Sequence, residues 1–265
     1  MAEYKSFLVD PKKDKTRFDK AYKFLKDAFP DETDPKSTLY KYLTGTSDEP
    51  FQMYMSAVEN TETKEIVSVA FGAYLDTMTE DDMKYYIAID SPGIRRNAKY
   101  GFGWPETAFT RETERRKGCG SQAMAELTRA YMTEARSRGA TFIGLSGAVE
   151  DKEVCPGATY SDSVNIWSAM GAEKLPTQIN TPVDFDPKSG AITEMDGPYT
   201  LMYRMTDNKF RNKEILGDMV RAIMVYHMPY IGDCGLTKER LPKAIENVGL
   251  SYQKTFDDIS KMILE

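Results

Sequence analysis

The sequence predicts an α/β protein of the α+β type, with a mixed, mostly antiparallel sheet flanked by helices and a helical appendage at its C-terminal end. Three observations lead there. Two strand-length apolar runs, Phe51 to Val58 and Glu65 to Leu75, flank the polar turn Glu59 to Lys64, which reads as a hairpin. A helix-spaced series, Met124, Leu127, Tyr131 and Ala135, lies between the strand-like segments Glu106 to Thr110 and Thr141 to Leu145. Beyond about residue 208 the apolar spacing is helical only.

Tyr4 to Val9 reads as a short first strand, broken by Asp10-Pro11. Phe18, Ala21, Tyr22, Leu25, Ala28 and Phe29 recur at helical spacing until Pro30. Asp34 before Pro35 reads as an N-cap with proline at the first helical position, opening a short helix through Leu39, Tyr42 and Leu43. After the hairpin, Lys84 to Ile89 is a further strand candidate, and Ser91 to Asn97 a basic loop. The helix through Ala135 stops at Gly139, a natural residue to follow a helix end. A strand near 141–149 and a second helix ending near Met170-Gly171 come next. Residues 176–198, rich in Pro, Asp, Thr and Gly, read as a long irregular insertion, and Tyr199 to Met205 as the closing strand. The three apolar stripes that follow are Ile215 to Met224, Leu241 to Val248, and Phe256 to Ile263. The expected division is a body over 1–207 and a helical extension over 208–265, packed on the body or across a homodimer.

At 265 residues, 41% hydrophobic and 29% charged, the composition suits a soluble globular protein. A net charge of −6 leaves no basic excess to neutralise phosphates, so nucleic acid is not an expected partner. No stretch is long enough to span a membrane and the N-terminus has no apolar signal core, so no membrane partner is expected. Cys119, Cys155 and Cys234 are odd in number and widely spaced, which fits a cytoplasmic setting and offers no metal site. His227, the single histidine, sits on an apolar helical segment and reads as structural.

The chemistry concentrates in Arg115-Arg116-Lys117-Gly118-Cys119-Gly120-Ser121. Glycines at a helix start let backbone N–H groups approach a ligand, the helix dipole favours negative charge there, and three cations make pyrophosphate a natural guest. The equally open alternative is an ordinary glycine-containing loop with a solvated charge run. Gly118 to Ala123 formally satisfies G-x-G-x-x-A, but the charged run Arg111 to Lys117 stands where the dinucleotide fingerprint needs a buried strand. A Walker loop also fails, because no Lys-Ser or Lys-Thr pair follows the last glycine.

Arg115, Gly118 and Gly120, with a strand before and a helix after, resemble the R/Q-x-x-G-x-G/A signature of the GNAT superfamily of acyl-CoA-dependent N-acyltransferases. Tyr160 to Ala172 resembles that family's later helix, with Gly171 at its glycine. The resemblance covers roughly 1–207 in element order, and its specific motifs about fifty residues. It implies an acetyltransferase, or short-chain acyltransferase, moving the acyl group of acetyl-CoA or another acyl-CoA directly to an amine of a small molecule or peptide. It implies that the loop's amides bind the CoA pyrophosphate, placing Arg115, Arg116, Lys117, Gly118, Cys119, Gly120 and Ser121 at the cofactor. The strand backbone at Phe109 and Thr110 would pair with the pantetheine arm.

The chain departs from the family at Trp167, where many relatives carry the tyrosine that protonates the leaving thiolate; an indole cannot do that. Tyr160 could supply a phenol instead, or pack. The amine must lose a proton, often to a carboxylate acting directly or through water, and the candidates are Glu106 and, as rival, Asp90. Cys119 could be an activated thiol at a helix start, but filling the core is the better reading. Residues 91–105, with Tyr100, Phe102 and Trp104, and residues 176–198 are expected loops shaping the acceptor pocket. The acceptor itself stays open, as do a CoA-binding module without turnover and another acyl-CoA reaction on the same scaffold.

Overall fold

The computed structural model describes residues 3–46, 51–82, 98–150, 163–227 and 241–262. The expected strand Lys84 to Ile89, the loop Ser91 to Asn97, Asp90 and Tyr160 lie outside them. By internal contacts the chain divides into two units, Met1–Tyr74 with Gly103–Phe142, and Leu75–Phe102 with Ile143–Glu265.

In the first unit β1 (Tyr4–Leu8), β2 (Gln52–Asn60) and β3 (Ile66–Asp76) form an antiparallel meander, with Tyr4 opposite Asn60 and Gln52 opposite Tyr74. β4 (Tyr100–Thr110) follows β3 in the strand order, and just past its end Arg111 N donates to Val67 O at 2.9 Å. Three helices belong here: α1 (Lys15–Ala28), α2 (Lys36–Thr44) and α3 (Cys119–Ser137). α1 is capped by Asp14, whose carboxylate accepts from Arg17 N, and it buries Phe18, Ala21 and Leu25. The cap of α2 falls on Pro35, one residue later than expected, and is made without a side chain; Pro35 O takes the first helical amides instead.

Successive strand residues face opposite ways, which places the helices. Phe109 packs on Phe24 and Phe29, at the C-terminal end of α1, with ring centroids 5.5 and 5.4 Å away, whereas Thr110 meets the start of α3 at Gly120. α1 and α3 therefore cover opposite faces. β3 is accordingly buried from Ile66 to Leu75 and reads as a continuous apolar run instead of an alternating one. Its buried serine is satisfied, Ser68 Oγ donating to Phe109 O at 3.1 Å; on β2, Ser56 Oγ donates to Ala123 O of α3 at 2.7 Å. α3 is also tied to β2 where Tyr54 donates to Glu134, which Arg138 pairs from the next turn at 2.6 Å.

The expected loop over 91–105 is corrected where it is described: Tyr100 to Pro105 are strand, and Phe102 and Trp104 are buried. The run Tyr-Gly-Phe-Gly-Trp alternates aromatic and glycine with a period of two, a strand pattern that its glycines disguise.

In the second unit β5 (Thr141–Val149) pairs antiparallel with β7 (Ile192–Met205), and β7 with β6 (Glu173–Phe185). Residues 176–198 are thus a long hairpin, not an irregular insertion. β6 ends the strand order, so Pro182 is tolerated there, and repeated register shifts between Lys174 and Phe185 break the alternation that would have betrayed it. α4 (Ser163–Ala169) precedes the hairpin. Of the C-terminal helices, α5 (Lys213–Tyr226) is buried on almost every side. α6 (Leu241–Ser251) and α7 (Gln253–Lys261) lie against the hairpin, with Asn247 Nδ2 donating to Gly190 O at 2.7 Å and Thr255 Oγ1 to Gln178 O at 3.1 Å. Among the described residues no helix is long and apolar enough to cross a membrane.

Two predictions follow from these packings. A Cβ on Gly72 would lie 2.3 Å from Trp104 O and 2.7 Å from Tyr131 Oη, so Gly72→Ala is expected to cost at least about 2 kcal/mol in denaturant unfolding. The second concerns pH. On α5, burial pushes the Asp218 carboxyl up to about 6 despite Arg221 at 2.7 Å, with Glu214 and Asp82 adding to the rise. Burial pushes His227 down to about 4. Folded Asp218 binds its proton more readily than unfolded, adding stability as pH falls from about 6 toward 3.8. Folded His227 binds its proton less readily, removing stability as pH falls from 6.5 to about 4. The two slopes oppose each other, so Asp218→Asn should make the melting temperature fall more steeply than wild type on acidification across that window. Parallel melting curves against pH would refute it.

Candidate functional site

The loop that carries the three cations is built at the junction of β4 and α3, within the first unit. β4 ends at Thr110, and Glu112–Glu114 makes a single tight turn in which Glu114 N donates to Arg111 O at 2.8 Å. Arg115 is extended, Arg116 is left-handed at φ +64, and Gly118 is left-handed at φ +83 directly before the first residue of α3. Glycine is favoured at 118, since a side chain would be strained at that φ. No side chain caps α3, so its first-turn amides, which have no intrahelical acceptor, are left for another partner. Gly120 has a different reason: a Cβ there would sit 3.0 Å from Thr110 Oγ1, which is 2.8 Å from Ser68 Oγ. Its bare backbone lets the helix start lie close on the strand end.

The cations are not equivalent. Arg115 Nε donates to Thr110 O at 3.4 Å, which turns it back along β4. Lys117 Nζ pairs with Glu114 Oε2 at 3.1 Å, and the same oxygen accepts the Tyr4 hydroxyl. Arg116 is exposed and, among the described residues, has neither ion pair nor hydrogen bond. Cys119 is buried, and burial followed by the Glu114 charge pushes its thiol up, so it fills the core and is not an activated nucleophile. Ser121 is exposed in the first turn of α3.

Of the strand residues expected to touch the pantetheine arm, Phe109 has its carbonyl engaged by Ser68, and Thr110 has its carbonyl engaged by Arg115. Glu106 is exposed on β4 and shares the face of Thr110 by strand alternation. Beneath it, Tyr131 of α3 is fully buried; burial first, then the Glu106 charge, then Tyr54, push its phenol well above the ordinary range. The structure thus brings Glu106 and the loop onto one face of β4, about 13 Å apart along four strand residues.

In the second unit Trp167 is buried, and a Cβ on Gly147 of β5 would lie 2.5 Å from its Cζ2. The indole is a packing element that the missing Gly147 side chain makes room for. Sequence reasoning missed Tyr4 and Glu114: the Glu114–Lys117 spacing was visible as an i,i+3 pair, but Tyr4 reaches the loop only because β1 pairs with β2.

No protein-family model and no curated protein matches the chain. Among solved structures, it is similar to NAA60 of Arabidopsis thaliana in complex with a bisubstrate analogue (12% identity, 77% of this chain and 100% of that chain, TM-score 0.47). It is also similar to the aminoglycoside N-acetyltransferase AAC(6')-Iy with a bisubstrate analogue (11%, 64% and 90%, TM-score 0.42). A third is a GNAT-family acetyltransferase of Staphylococcus aureus Mu50 (9%, 77% and 100%, TM-score 0.41).

Gly120→Asp would put a side chain against Thr110 and a negative charge beside the free amides. Wild type is expected to gain about 2.7 kcal/mol of stability from CoA at a hundredfold excess over its Kd, and Gly120→Asp to lose that gain. The check is the CoA-induced melting shift in both proteins; an equal shift in a folded variant would remove the loop from CoA binding.

Proposed function

We propose that the chain is an acyl-CoA-dependent N-acyltransferase, moving an acetyl or other short acyl group from acyl-CoA to an amine of a small molecule or peptide. One observation carries the reading: the left-handed Gly118 opens α3 with no side-chain cap on its first-turn amides, beside Arg116, which is exposed and unpaired among the described residues. Uncapped amides, the positive end of a helix and a free guanidinium suit a pyrophosphate, and the residues match the GNAT signature quoted above. The separation along β4 between Thr110 and Glu106 is on the scale of the pantetheine arm that joins pyrophosphate to thioester.

In this reading the acceptor binds as an amine and must lose a proton before or during attack. Glu106 takes that proton, directly or through water. The nitrogen attacks the thioester carbonyl, the C–N bond forms, the C–S bond breaks, and CoA leaves as thiolate, later taking up a proton. Cys119, buried with its thiol raised, takes no part, so transfer is direct. The indole of Trp167, packed against Gly147, cannot protonate the thiolate, and the phenol proposed for that role is Tyr160, which lies outside the described residues.

Trp167 also favours a second reading, a CoA-binding module without turnover. Release of free CoA thiol on mixing the protein with acetyl-CoA and a library of peptides, polyamines and aminoglycosides separates the two. Binding without release for every amine would leave the module.

Glu106→Gln is expected to lower kcat by roughly 10²–10⁴-fold, with little change in acetyl-CoA affinity, and to alter the acidic limb of the pH–rate profile. Near-full activity in Glu106→Gln, with loss in Asp90→Asn, would move the base to Asp90.

A further inference from the structure

We infer that Tyr4 is a positioning residue for the acyl-CoA loop, holding the Glu114 carboxylate so that Lys117 and the left-handed Arg116 keep their places; this rests on the acyl-CoA reading above. Tyr4 stands 110 residues from Glu114 in sequence and reaches it because Tyr4 opens β1 opposite Asn60, at the edge of the meander. Its hydroxyl donates to Glu114 Oε2, and Lys117 Nζ lies 3.1 Å from the same oxygen. One carboxylate oxygen therefore joins β1 to both ends of the segment Glu114–Lys117.

That segment contains the costly backbone. Arg116 holds φ +64, a region that a residue with a side chain rarely adopts and keeps only when its surroundings over-determine it. The determinants are the ties on either side: Arg115 Nε on Thr110 O, Glu114 N on Arg111 O, and the Tyr4–Glu114–Lys117 cluster across the turn. Removing the phenol leaves Glu114 and Lys117 as an ordinary half-exposed pair, which holds geometry poorly. The hydrogen bond to Glu114 pushes the Tyr4 phenol up, Tyr4 and Lys117 hold the Glu114 carboxyl down, and Glu114 pushes the Lys117 ammonium up. The cluster is therefore a neutral donor, an anion and a cation throughout the neutral range. A ligand that binds the loop meets a surface already ordered, and the entropy of ordering is not charged against its affinity.

The test is a double-mutant cycle read by acetyl-CoA titration and steady-state kinetics on the full chain. Tyr4→Phe is expected to raise the acetyl-CoA Kd and KM about fivefold while kcat changes far less. In a Lys117→Ala background the same Tyr4→Phe change should have no further effect, because the cluster it served is already broken. If wild type binds acetyl-CoA and Tyr4→Phe binds equally well, the inference is overturned and the acyl-CoA reading stands. Equal losses in both backgrounds would also overturn it. Absence of acetyl-CoA binding by wild type would overturn the reading itself.

Discussion

The left-handed turn at Gly118 is the constraint on which the candidate site depends. β4 ends at Thr110 and α3 must start against that strand end, so the chain has to reverse within a few residues. Gly118 at φ +83 makes the reversal, and Gly120 lets the first turn of α3 close on Thr110. Both are backbone requirements before they are binding features. The same two residues leave the helix start bare of side chains, and a bare helix start is an anion site by electrostatics alone. Structural need and an anion-accepting helix start would thus have one cause here.

Charge in the loop is arranged, not accumulated. The chain as a whole is acidic, at −6, and Glu112 and Glu114 stand immediately before the cations. Such a sequence could cancel its own field. It does so only in part: Glu114 draws in Lys117 and Tyr4, Thr110 O draws in Arg115, and Arg116 remains exposed on the strained residue. The pairs shape the loop and the unpaired guanidinium carries the available charge. An exposed cation in water interacts weakly over distance, so discrimination for a diphosphate would come from amides and guanidinium together, at contact range.

Much of the first unit was legible because its patterns are local. The β2–β3 hairpin declared itself by two apolar runs and a polar turn, and α3 by Met124, Leu127, Tyr131 and Ala135 at one spacing. The loop was legible because positive φ at a helix start favours glycine. What the sequence concealed was long-range or masked by irregularity. The glycines of Tyr100–Trp104 hid the first half of β4, and the register shifts of β6 hid the hairpin at 176–198. The Tyr4–Glu114 contact depends on strand pairing, and the Trp167–Gly147 fit on a helix meeting a strand; neither leaves a periodic trace.

Trp167 raises the question of how much an acyl transfer would lose with an indole at that position. The leaving group supplies part of the answer. A thiol has a pKa of about 8.5, against 15.7 for water, so a thiolate departs from a tetrahedral intermediate with far less help than an alkoxide needs. General acid assistance is worth most where the leaving group is most basic. The amine imposes the opposite demand: it is protonated at neutral pH and does not attack until a base frees its lone pair. In a thioester aminolysis the carboxylate therefore matters more than the acid. In the proposed reaction, Glu106, exposed on β4, would keep the function that matters more, and the packed indole of Trp167 would give up only the cheaper one.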